Sequence, residues 1–429
     1  MLNVAVYLKP EDSLLGFHRP DSHKGNRGCH GVRNVACKLD ASLPFHTDFI
    51  MFLSILPLLF TLIGCDFTPS YVDGSDINDA LALNRFKTVC KGLEMEDDEI
   101  RRYATESLIN VDDPIAQECI CANVAHPTKM WDPAIAAGLK GTERDELVQC
   151  FADLVLQPAL PKRLEAVTAL ALIPAKSARE ASATIAAEAS TDVEIRVRAV
   201  GSISGNPDYE EVLVGLLKND KEPTVRAAAA KGLSPFKKSK TTKEALAASL
   251  DSDEEGVVRA AALVSLKKTG VRNADELVCK AMMEDPAEEV RTAAVGTYQG
   301  TKRSNAVKCL RDRTLTFEES ASVRMRLLEV LKSSPHKDVP DILCDAIPFW
   351  MRSYVKEDIP EKVPGTMIVE AQNDRDWENS FDCLKRAYRN SSGYSCFAKM
   401  HVALWFREVG GNTYVPNCPG YEHPSLTGD

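Results

Sequence analysis

The chain has 429 residues, with 52 Lys and Arg against 62 Asp and Glu, for a net charge of −10. That balance argues against a dedicated nucleic-acid binder, whose footprint is a strongly basic domain. It holds no G-x-x-x-x-G-K-[ST], H-E-x-x-H, G-x-S-x-G or G-x-G-x-x-G, so nucleotide, zinc-protease, hydrolase and dinucleotide chemistry lack a sequence warrant.

Residues 1–50 show no periodicity and include Cys29 and Cys37. They are expected to lie outside the folded protein, as an over-extended start or a long leader, with Met51 as the alternative start. Residues 49–64 (FIMFLSILPLLFTLIG) are apolar. A spanning helix needs about 20 such residues, whereas a secretory signal has a shorter apolar core followed by small residues. The run ends in Leu62-Ile63-Gly64-Cys65, which resembles a bacterial lipobox. The resemblance implies a signal at 51–64, cleavage before Cys65, and a diacylglycerol on its sulfur. With further acylation, Cys65 would carry the two or three chains that stable anchoring requires. Residues 65–79 then read as a polar tether. The chain is expected on the extracytoplasmic side of a bacterial envelope, periplasmic or at the cell surface, attached to the membrane through Cys65.

From 80 to 350 one pattern recurs. Ile195-Arg196, Val225-Arg226, Val258-Arg259, Val290-Arg291 and Val323-Arg324 are spaced by 30, 33, 32 and 33 residues. Around each arginine, apolar residues fall at −1, +3, +4 and +7; for Arg226 they are Val225, Ala229, Ala230 and Leu233. That spacing is one side of a helix. Arg163 continues the series upstream, and Asp132 and Arg101 mark weaker copies, so eight second helices fit between 98 and 332. A shorter apolar helix precedes each, such as 210–218, 242–250 and 274–283. A helical unit at this period cannot bury its stripe alone, and stacking makes a solenoid. Asp192, Asp220, Asp253 and Asp285 precede the arginine helices and are expected to cap their first turns. The arginines at 163, 196, 226, 259, 291 and 324 are expected to form a ladder of structural pairs with neighbouring acids.

The motif D-x-x-x-x-V-R-x-x-A-x-x-A-L resembles the HEAT repeat family, particularly its phycobilisome-lyase type. The resemblance implies an all-α solenoid of helix pairs. It leaves function open, because such repeats host many roles.

Ten cysteines follow Cys65: Cys90, Cys119, Cys121, Cys150, Cys279, Cys309, Cys344, Cys383, Cys396 and Cys418. Export and an even number favour disulfides; small core residues are the alternative. Cys90, Cys121, Cys150, Cys279 and Cys309 take similar places on successive first helices. Cys119 and Cys121 lie about 200° apart on one helix, so Cys90 is expected to meet one of them and Cys150 the other. Cys279 would meet Cys309, and the last four would form two bonds of open connectivity.

Residues 351–429 lose the repeat phase and are expected to cap the array, with helices at 377–388 and 395–408 and many aromatics, among them Trp350, Phe381, Tyr388, Trp405 and Phe406. A binding surface is the sharper reading of those aromatics. The histidines at 126, 336, 401 and 423 are scattered, and Asp374, Asp376 and Glu378 read as an exposed turn. The basic run Lys237, Lys238, Lys240 and Lys243 reads as a solvated loop. No catalytic, cofactor-binding or metal-ligating residue, and no nucleic-acid partner, is expected. The expected function is a non-catalytic scaffold for another protein. A lyase-like enzyme that attaches a chromophore and a cytoplasmic scaffold are the rival readings.

Overall fold

The computed structural model describes residues 71–125, 131–316, 318–353, 380–416 and 418. Cys65 and the lipobox, His126, Asp374, Asp376, Glu378 and His423 lie outside them. Among the described residues every regular element is helical.

Helix α1 (Gly74–Ala82) begins inside the stretch expected to be tether. Asp73 accepts the N–H groups of Ser75 and Asp76, and Asp76 accepts the Asp73 N–H, a closed capping box. Ile77 and Ala80 are buried. These polar residues start a helix because their side chains satisfy its first free donors.

Helix pairs follow as expected. The first helices are α2 (Phe86–Gly92), α4 (Pro114–Val124), α6 (Asp145–Val155), α8 (Lys176–Ala187), α10 (Glu210–Asn219), α12 (Lys240–Ser252), α14 (Ala274–Glu284) and α16 (Ser304–Thr314). The second helices are α3 (Asp98–Leu108), α5 (Pro133–Gly138), α7 (Arg163–Leu170), α9 (Val193–Ile203), α11 (Pro223–Gly232), α13 (Gly256–Thr269), α15 (Glu288–Gly296) and α17 (Ala321–Ser333). Each layer packs on itself: second helices touch second helices, and first helices touch first helices. The second layer is the tighter of the two between α9 and α17. Small residues permit this. A Cβ on Gly256 would lie 2.6 Å from the Ala287 Cβ of the next repeat, so only glycine fits that approach.

The predicted stripe is the core. Val225, Ala229, Ala230 and Leu233 are fully buried, as are Val258, Ala262, Val290, Ala294, Val323 and Leu328. Two clusters, from Val72 to Leu266 and from Leu263 to Phe406, meet on α13. Thr68–Asp429 is one compact unit, and both clusters draw on it alone.

Beyond α17 come α18 (Val339–Ser353), α19 (Ser380–Arg389) and α20 (Cys396–Glu408). Helix α19 packs on α18 and α20 on α19. The C-terminal region therefore carries the first-helix layer one step further before closing it.

Candidate functional site

The repeated arginines and acids form one hydrogen-bonded spine. Arg226 donates from Nε to Asp253 Oδ2 at 2.8 Å and from Nη2 to Oδ1 at 2.9 Å. Its Nη1 donates to the Asp220 carbonyl of its own repeat at 2.9 Å. Arg259 repeats the arrangement on Asp285, at 3.0 and 2.8 Å, and on the Asp253 carbonyl. Arg291 does so on Glu318, at 2.9 Å twice, and on the Asp285 carbonyl. Arg196 pairs with Asp220, and Arg324 donates to the carbonyls of Glu318 and Glu319. Each side-chain link thus crosses to the next repeat and each carbonyl link returns within one.

Asp220, Asp253 and Asp285 do not cap the second helices, contrary to expectation. The N-cap positions are Glu222, Glu255 and Ala287, two residues later. The earlier acids accept the N–H groups at those positions and the guanidinium of the preceding repeat. Asp192 does cap, on the Glu194 N–H. Asp132 was counted at an arginine's place but fills an acid's: it caps α5 and pairs with Arg101 at 2.8 Å. Arg163 bonds Thr191 and Glu188 at 3.2 and 3.4 Å. Arg313 has no counterpart in the repeat pattern. It is buried on α16 beside Glu318, which it shares with Arg291; lying on a first helix, it was invisible to the periodicity.

The bonds shift the pKa values of the ladder. The Asp253 hydrogen bonds hold Arg226 above the ordinary guanidinium value, and those of Asp285 do the same for Arg259. Burial pushes Asp253 up, but bonds from Arg226 and the Glu255 N–H outweigh it and leave the carboxyl below its usual range.

The ten cysteines stand in five pairs. Cα separations are 5.5 Å for Cys90–Cys119, 5.4 Å for Cys121–Cys150 and 5.8 Å for Cys279–Cys309. They are 5.7 Å for both Cys344–Cys383 and Cys396–Cys418. All lie within the reach of a disulfide. Three of the five join neighbouring first helices, the fourth joins α18 to α19, and the fifth ties α20 to the segment after it.

Among the described residues no group of three His, Cys, Asp or Glu could hold a metal ion. His336 sits 3.2 Å from Ser304 Oγ, and the His401 ring lies 5.9 Å from that of Trp405. The C-terminal aromatics pack on one another: Phe406 lies 5.2 Å from Phe381 and 5.8 Å from Tyr388. Two surfaces stay open. One is the outer side of the second helices, where Gly201 is exposed and Ala228, Ala260 and Ala293 are half-buried. The other is a cleft of about 610 Å³ between α16, α18 and α19, walled by Lys308, Arg311 and Arg386 and by Asp312, Asp341 and Asp345.

This fold and its spine define an α-solenoid of stacked, HEAT-like helix pairs. The family model for HEAT repeats matches residues 180–267, from within α8 into α13. No curated protein matches the chain.

Proposed function

We propose that the chain is a lipid-anchored, non-catalytic scaffold that holds another protein on the extracytoplasmic side of a bacterial envelope. The observation that carries this reading is the stack of helix pairs described from α2 to α17, whose apolar stripe is buried in stacking and whose extended surface is left for a partner. Solenoids of this kind bind proteins along their extended surface. Five cysteine pairs at bonding distance suit an oxidising compartment and favour export over a cytoplasmic scaffold. The lipobox-like Leu62-Ile63-Gly64-Cys65 supplies the anchor. Among the described residues no feature specific to a tetrapyrrole supports the lyase reading.

Two experiments test this. Cys65→Ala should leave the precursor unprocessed and abolish incorporation of labelled fatty acid; unchanged labelling would remove the anchor. Photo-crosslinkers at Ala228 and Ala260, used in intact cells and read by mass spectrometry, should capture a recurrent protein partner. Capture from first-helix positions alone would move the binding face.

A further inference from the structure

From the turn after α11 to the turn before α18, the two edges of the solenoid carry opposite charge, whereas farther upstream the inter-repeat turns hold Asp112, Asp113, Asp208 and Glu211. Turns within a repeat, where first helices end and second helices begin, lie on one edge with the arginine ladder. In the repeats of α12 to α15 that edge exposes Asp251, Glu254, Glu255, Glu284, Glu288 and Glu289. Turns between repeats lie on the other edge. There Lys237, Lys238, Lys268, Arg272, Lys302 and Lys337 are exposed, and none has an ion pair among the described residues. The carboxylates on that edge are fewer. Asp275 is occupied by Lys267 and Arg303 and Glu244 by Lys240, and Glu276, Asp338 and Asp341 remain.

Successive turns on this edge touch at several steps. The Gly205 N–H donates to the Gly232 carbonyl at 3.1 Å. Arg303 reaches Asp275 at 3.2 Å. The Gly300 N–H donates to Ser333 Oγ at 2.9 Å, and Ser334 Oγ donates to the Thr301 carbonyl at 2.8 Å. Neighbouring helices stack at about 10 Å, so the cations recur at roughly that interval along a row. On a chain of net charge −10, a row of unpaired cations is a local departure from the whole.

We propose that this inter-repeat edge, from the turn after α11 to the turn before α18, docks on an anionic phospholipid surface and sets the solenoid edge-on to the membrane. The choice of a bilayer rests on the anchor proposed at Cys65. A lipid chain plus a basic patch is a recognised pair of membrane signals, and Lys and Arg near an anionic bilayer are attracted within about a Debye length. The row stands on a rim rather than in a groove. No exposed aromatic is interleaved with it, as stacking of single-stranded bases would require. The acidic edge faces away from such a surface, so the same charges that attract one edge orient the other.

Purified Thr68–Asp429 lacks Cys65, so its binding reports the edge alone. It should sediment with vesicles of phosphatidylcholine plus phosphatidylglycerol and not with phosphatidylcholine alone, and added salt should release it. Lys237→Glu/Lys238→Glu should weaken binding about tenfold or more with an unchanged melting curve. Lys218→Glu/Lys221→Glu makes the same charge change on the opposite edge and should not weaken it. Absence of sedimentation, equal binding to neutral vesicles, or equal loss in both variants would overturn the proposal. So would a vesicle-free, salt-sensitive oligomer abolished by Lys237→Glu/Lys238→Glu, which would assign the edge to a second copy. Each of these results leaves fatty-acid labelling of Cys65, and hence the anchor, separately decided.

Discussion

Arg226 and Asp253 lie 27 residues apart and meet through two parallel hydrogen bonds, with 14% of the arginine and 8% of the aspartate side chain exposed. The bond joins two consecutive repeats, and it is made where each side chain also holds its own backbone. Removing one partner leaves a largely desolvated charge.

Asp253→Ala should therefore destabilise the unit by about 2–4 kcal/mol. Arg226→Ala/Asp253→Ala should recover part of that loss, giving a coupling energy above about 1 kcal/mol. Denaturant titrations of the four proteins measure it. Strict additivity would mean the pair does not act as a unit.

The same carboxylate sets an acid dependence. Its folded pKa lies below the ordinary value, so its contribution is present above about pH 4 and is lost as pH falls through the folded pKa. Asp275, held down first by the Lys267 hydrogen bond, and Glu188, held down first by Thr191, act in the same direction. The stability gap between wild type and Asp253→Asn should be widest near neutrality and should close as pH is lowered below 4. Urea midpoints across that range test this; a constant gap would count against it.

Ala229 and Ala262 are fully buried in the second layer. Ala229→Phe or Ala262→Phe should overpack the stack and cost about 1–3 kcal/mol. A thermal melt unchanged from wild type would show that the layer has slack that its burial does not reveal.

Peptide mapping without reductant should recover Cys90–Cys119, Cys121–Cys150, Cys279–Cys309, Cys344–Cys383 and Cys396–Cys418 as linked peptides. A bond closing a loop of about 30 residues stabilises by about 3–4 kcal/mol on the chain-entropy account. Reduction should therefore loosen the two ends before the middle, visible as faster amide exchange in α2 to α6 and in α14 to α20. Ten alkylatable thiols in protein isolated without reductant would refute the pairing.

The second helices were legible because Val-Arg and its apolar companions repeat with the geometry of a helix face, and the same face is buried throughout. The acids were misplaced because a carboxylate two residues before an N-cap looks, in sequence, like a cap; only the neighbouring repeat shows that Arg226 takes Asp253. Asp132 was misread for the same reason, since the period alone cannot distinguish donor from acceptor. Asp73 reads as tether in sequence because a capping box and a polar linker share their composition. The charged edges were hidden because residues of one edge are scattered over turns some 30 apart, and Lys237 with Lys238 looked like a local run.

Three cysteine pairs join neighbouring first helices, a fourth joins α18 to α19, and none lies between α8 and α12. Bending the array toward its second helices requires the first-helix layer to lengthen. Straps across that layer forbid this at both ends, whereas the central repeats can still spread their first helices. A partner that asks the solenoid to wrap it will therefore be gripped by a bend at the centre, between two ends that arrive already set.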